Sequence, residues 1–248
     1  MIQVSKLRLS AALWAVGMLG VVVLTLTVIP QLLHGAQTPV PQSVAVTASL
    51  IQSGLFLALA AWLGAALSRS VGLRAPVTEA VLSGSSVWRA AKPQLLPGAL
   101  IGLVAGAVLL IAGQAAPLEV QSAAPAFNIP VSARLLYGGI TEEILMRWGL
   151  MTLIVWLAWR FFQRRNGAPA PRYVVAAILV AALLFGVGHL PAATAMGINL
   201  TPSVVTYVLV SNTIPGVLFG FSYWRWGLES AFLAHATAHV VVIVAGAT

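Results

Sequence analysis

Residues 135–161 read LLYGGITEEILMRWGLMTLIVWLAWRF, and this stretch decides what kind of protein the chain is. It is long and apolar enough for a membrane-spanning helix, which needs about 20 predominantly apolar residues. Yet Thr141-Glu142-Glu143-Ile144-Leu145-Met146-Arg147 sets two carboxylates and a guanidinium inside it. Each charge at a helix centre costs roughly 2.5–3.5 kcal/mol to insert, so three on one helix call for a use or a partner. Glu143 and Arg147 are four residues apart, in the order that favours pairing along one helix face. Glu142 projects about 100° away and has no such neighbour. The expectation is a structural pair plus one free carboxylate. A helix–helix ion-pair network and a proton path in a transporter are the alternatives for this segment by itself.

The rest of the chain agrees with a membrane setting. Of 248 residues, 60% are apolar and only 7% charged, against about 25% charged in ordinary soluble domains. Mean hydropathy is +0.97. This excludes a soluble globular domain, a disordered tail and a nucleic-acid-binding module. Cysteine is absent, so disulfides and thiolate chemistry are excluded. All five acids are Glu, which makes each one informative.

Hydropathy gives seven candidate spans: Leu9–Ile29, Val44–Leu67, Leu96–Ala115, Leu135–Phe161, Tyr173–Leu190, Ser203–Tyr223 and Leu228–Gly246. The first follows Lys6 and Arg8 but is too long for a typical signal-peptide core, so it reads as an uncleaved span. Arg69, Arg74, Arg89 and Lys92 lie between spans 2 and 3, Arg160, Arg164, Arg165 and Arg172 at the junction of spans 4 and 5, and Arg225 between spans 6 and 7. Apart from Arg134 at the mouth of span 4, with seven spans every basic loop falls on one side, which predicts a cytoplasmic N-terminus and an outer C-terminus. Residues 75–94 could hide a half-helix or surface helix, and an eighth span there would change the topology. Gly98, Gly102 and Gly106 form one face of span 3, and Gly216 with Gly220 a second such pair; both read as close-packing seams. The fold class is therefore an all-α polytopic bundle of seven or eight spans. We treat 1–248 as one integral-membrane domain, with spans of unassigned role over 1–130 and a motif-bearing core over 131–248.

Histidine supplies the second signal. His189 closes span 5, while His235 and His239 lie four residues apart on span 7, on one face. His34 falls in an outer connection and reads as incidental. Counting 1.5 Å per residue, Glu142, His189, His235 and His239 all reach the middle-to-outer half of the bilayer. Unrelated packing residues have no reason to agree in depth. Three imidazoles and a carboxylate have the inventory for acid/base chemistry or for a metal site.

Glu142-Glu143-x-x-x-Arg147, Phe185-x-x-x-His189 and His235-x-x-x-His239 resemble the three motifs of the CPBP family, the CAAX prenyl protease type II or Abi group of intramembrane endopeptidases. The segment from Gly216 through Phe219 and Gly220 to Ala234 looks like the family's approach to its last motif. The resemblance covers roughly residues 134–242. It implies that Glu142 and His189 activate water, that His235 and the last-motif position stabilise the oxyanion, and that Glu143, Arg147 and Phe185 support them. One departure stands out: the family's last motif usually ends in Asn, and here that position is His239. Histidine can donate one N–H as Asn does, and it can also ligate metal. A metal-free mechanism needing no cofactor is preferred. If zinc is present, its ligands would be His189, His235, His239 and Glu142.

The expected function is an intramembrane endopeptidase acting on a membrane-associated or lipidated peptide or protein, with membrane lipid as its surroundings. A non-catalytic immunity or partner-binding protein on the same scaffold is the alternative that the Asn-to-His change favours. A proton-coupled transporter comes third, because no repeat symmetry is visible. Nothing in the chain reads a prenyl group, and oligomeric state is not legible.

Overall fold

The computed structural model describes residues 4–34, 40–123 and 129–246. Eight main helices follow in chain order: α1 (Lys6–Thr27), α2 (Gln42–Leu67), α3 (Pro76–Ser83), α4 (Val87–Gln114), α5 (Val131–Phe162), α6 (Pro171–Gly188), α7 (Pro202–Trp226) and α8 (Leu228–Val244). Short helices at Ile29–His34, Leu118–Ala123 and Leu190–Ala195 flank them, and the described residues contain no strand. Six helices, α1, α2 and α4 to α7, are long and apolar enough to cross a membrane. The seventh expected span, α8, is apolar but has only 17 residues, about 26 Å at 1.5 Å per residue. The exposed faces are apolar, with Leu55, Trp62, Leu96, Ile111 and Leu183 turned outward. Architecture and composition together are those of an integral membrane protein.

Local chemistry sets the helix ends. Side chains of Ser5, Ser86 and Thr201 accept from the backbone N–H three residues on, satisfying donors that a helix start otherwise leaves orphaned. Ser86 explains why α4 begins at Val87, well before the hydropathy boundary at Leu96; its first turns carry Arg89 and Lys92, which an apolar window excludes. The stretch 75–94 holds no eighth span. It holds α3, opened by Pro76 and closed by Gly84 in the left-handed conformation (φ 69°). His34 ends the short helix after α1 rather than lying in a loop, and its side chain lies outside the described residues.

Both glycine seams are packing seams. A methyl group at Gly102 would sit 2.5 Å from the Ala234 carbonyl and the Thr237 Cβ, so glycine here lets α4 lie directly on α8. Gly216 and Gly220 face Ala182 and Ile178 and do the same for α7 on α6.

The middle of the bundle is α5. Its polar side chains reach several neighbouring helices. Thr141 Oγ1 donates to Gly17 O of α1 at 2.7 Å, Trp148 Nε1 to Ala61 O of α2 at 3.1 Å, and Arg147 Nη2 to Gly216 O of α7 at 3.0 Å. The Thr152 and Tyr223 hydroxyls bond at 2.9 Å. Over Arg134–Glu142 and Ile144–Met151 the helix runs in the wider π register; Thr141 and Thr152 hydroxyls reach back five residues, to Leu136 O and Arg147 O. Such turns occur often at functional sites, and nothing in the apolar pattern announces them.

Arginine backbone and side-chain contacts tie one end of the bundle together. Arg69 Nη2 donates to Val4 O at 2.8 Å and Leu228 N to Arg74 O at 3.0 Å, tying the starts of α1 and α8 to the end of α2. At this end Glu229 Oε1 accepts from both the backbone N and the Oγ1 of Thr78, each at 2.8 Å. A carboxylate 151 residues away thus caps α3, whose own N-cap residue, Ala75, contributes no side-chain bond. Gln94 Oε1 accepts from Ser230 N at 2.8 Å.

Candidate active site

Three helices that are far apart in sequence bring the motif residues to one place. α5 brings Glu142, Glu143 and Arg147; α6 ends on Phe185 and His189; α8 carries His235 and His239. At the centre is Glu143, fully buried. Its Oε1 lies 3.0 Å from Arg147 Nη1 and accepts from His235 Nδ1 at 2.8 Å. The Arg147 contact is an ion pair without hydrogen-bond alignment, for neither Arg147 Nη1 nor Glu143 Oε2 has a hydrogen-bond partner. Arg147 spends its other nitrogen on the Gly216 carbonyl, and its guanidinium lies over the Phe185 and Phe219 rings at 4.9 and 5.5 Å. Aromatic faces favour a cation, so they replace part of the hydration that burial removes.

The rings are stacked into fixed orientations. His235 lies on Phe219 (4.5 Å, 20°) and His239 on His235 (4.9 Å, 18°). Phe185 meets His189 and His235 edge-on at 4.6 and 6.2 Å. His189 Nδ1 lies 2.8 Å from Phe185 O, a carbonyl, so Nδ1–H donates and Nε2 is left bare. Gly138 makes room for the imidazole edges: a Cβ there would sit 2.6 Å from His239 Nε2.

Glu142 differs from its neighbour. It is half-buried and makes no hydrogen bond or ion pair with another described residue. It lies within electrostatic reach of His235, Arg147 and Tyr137, and His189 is within such reach of His235 and His239. The expected division into a paired Glu143–Arg147 and a free Glu142 is present in the geometry. What the sequence reading missed is that Glu143 also holds His235, and that Phe219 forms the floor under that ring. A partner signal for Phe219 lay in the Gly216–Gly220 segment; none existed for the Glu143–His235 bond.

The residues do not fit the zinc set. Among the described residues no three His, Cys, Asp or Glu side chains are gathered closely enough to hold a metal ion. His235 and His189 have their Nδ1 atoms engaged by Glu143 and the Phe185 carbonyl. Zinc needs imidazole nitrogens converging on one point at about 2.0–2.1 Å.

Residues 125–241 match the family model of the Rce1-like type II CAAX prenyl endopeptidases. The match spans all three motifs and agrees with the resemblance drawn from them. It supports a CAAX-type intramembrane protease. No curated protein and no solved structure matches the chain.

Proposed function

We propose that this protein is an intramembrane endopeptidase in which Glu142 and His189 activate water to hydrolyse a peptide bond of a membrane-associated or lipidated substrate. The observation that carries the reading is the meeting of Glu142, His189, His235 and His239 from three separate helices, beside a carboxylate whose Oε1 is already engaged by Arg147 and His235. Two adjacent glutamates in one helix are thereby given different work.

The chemistry follows from the free groups. Glu142 takes a proton from water, and the oxygen attacks the carbonyl carbon of the scissile bond. A carboxylate withdrawn from bulk solvent binds protons more tightly, which suits a base working near neutrality. The bare Nε2 of His189 accepts the water's second hydrogen and aims the oxygen. Oxyanion stabilisation falls to His235 and His239, where preorganised donors count most in a site shielded from water. For His235 this has a proton requirement. Its Nδ1 faces Glu143 Oε1, so Nε2 donates only when the His235–Glu143 pair carries a second proton. Collapse of the tetrahedral intermediate breaks the C–N bond, and Glu142 returns its proton to the leaving amine. On this reading the N-terminus is cytoplasmic and zinc plays no part.

The test is Glu142→Gln, which keeps the shape and removes the base. Wild type and variant are expressed at equal membrane levels, and new peptide termini in the membrane proteome are compared. Termini produced by wild type and missing with Glu142→Gln are expected. The same termini with both proteins would sink the assignment.

A further inference from the structure

At the basic end, away from the histidines, a cleft of about 730 Å³ opens between the start of α1, the end of α2, α3 and the first turn of α4. Arg69, Arg74 and Arg89 line it, with Ser83, Ser85, Ser86 and the single carboxylate of Glu79. Two of the guanidiniums are held in place, Arg69 by the Val4 carbonyl at 2.8 Å and Arg74 by Glu79 at 3.3 Å. The guanidinium of Arg89 is exposed and makes no hydrogen bond or ion pair with a described residue. Next to it in the chain, Val87 and Trp88 are 43 and 63% exposed, and Val81 of α3 is 60% exposed. Tryptophan beside cationic side chains at the end of an apolar helix is the composition of the headgroup level of a bilayer.

We propose that this cleft binds the phosphate of an anionic phospholipid headgroup, with Arg69 and Arg74 as fixed walls and Arg89 as the clamp that swings onto it. A guanidinium fork matches phosphate oxygens two at a time, and three arginines against one glutamate leave the lining with excess positive charge. The cleft is far larger than a phosphate ion. The exposed Val87 and Trp88 adjoining Arg89 offer contact to an acyl-bearing anion and nothing to a free one, which selects lipid as the source. Basic recesses between helices at the cytoplasmic interface are suited to anionic headgroups.

The full chain is purified in neutral detergent and its unfolding midpoint followed, at constant ionic strength, against phosphatidylglycerol, phosphatidylcholine or inorganic phosphate. A ligand that binds the folded state raises the midpoint saturably. A rise with phosphatidylglycerol alone is expected. Arg89→Gln should raise the half-saturating concentration about fivefold, the worth of one cation near an anionic surface. Arg89→Lys should keep most of the affinity, and Arg164→Gln, outside the cleft, should change nothing. Equal titrations for wild type and Arg89→Gln would overturn the site. A saturable shift with inorganic phosphate alone would overturn the lipid as its source. None of these readouts requires cleavage, so the cleft stands or falls separately from the protease reading.

Discussion

Glu143 and Glu229 are both shielded by the fold, and in each Oε1 takes two partners while Oε2 has none. Their company differs. Glu143 faces a guanidinium and an imidazole, groups that carry charge or exchange protons. Glu229 faces a backbone N–H and a hydroxyl, both neutral, and finishes a helix start that lacks its own cap. One carboxylate sits among groups that can do chemistry; the other replaces a missing serine. Residue type does not separate the two, and their partners do.

The contrast can be broken most forcefully at Glu143. Glu143→Gln leaves Arg147 buried without a counter-charge and should cost about 3–5 kcal/mol, read from denaturant unfolding in detergent. Cleavage should be lost as well. A variant as stable as wild type would place Glu143 in the same class as Glu229. The double change Glu143→Leu/Arg147→Met sharpens the point: with both charges gone most of the stability should return, while cleavage stays absent.

Next in size is the seam between them. Gly102 touches α8 beside His235 and between the two acids' partners. Gly102→Ala should cost about 1–3 kcal/mol by overpacking and lower cleavage by displacing His235. An unchanged unfolding midpoint would mean that the α4–α8 contact is looser than the geometry requires. The smallest effect belongs to Glu229. Glu229→Gln keeps an acceptor oxygen for Thr78, so stability should fall by no more than about 1 kcal/mol with cleavage retained. Loss of cleavage in that variant would show that the basic end reports to the site.

The sequence made much of the site legible because charge inside an apolar helix is costly and therefore sparse. Glu142, Glu143, Arg147, His189, His235 and His239 stand out for that reason, and the spacing of four residues separated the paired acid from the free one. Glycine seams were legible because small residues recur at helical period. Three features were not. The helix start at Val87 lies in polar residues that a hydropathy window discards. The Thr78–Glu229 cap joins positions 151 residues apart with no local signature. The π turns of α5 leave no mark in the apolar pattern of Leu135–Phe161.

The i,i+4 pairing of Glu143 with Arg147 also bears on how the protein is made. Arg147 meets its acceptor 69 residues further on, and Glu143 meets His235 after 92. At about 5–20 residues per second a ribosome delivers α5 to the bilayer roughly 5–18 s before His235 is synthesised. Throughout that interval α1 and α2 are already made, but the Gly216 carbonyl and His235 are not. The only counter-ion available is one that it carries itself, a single turn away. The pair that later anchors the bundle is what makes this segment insertable at all.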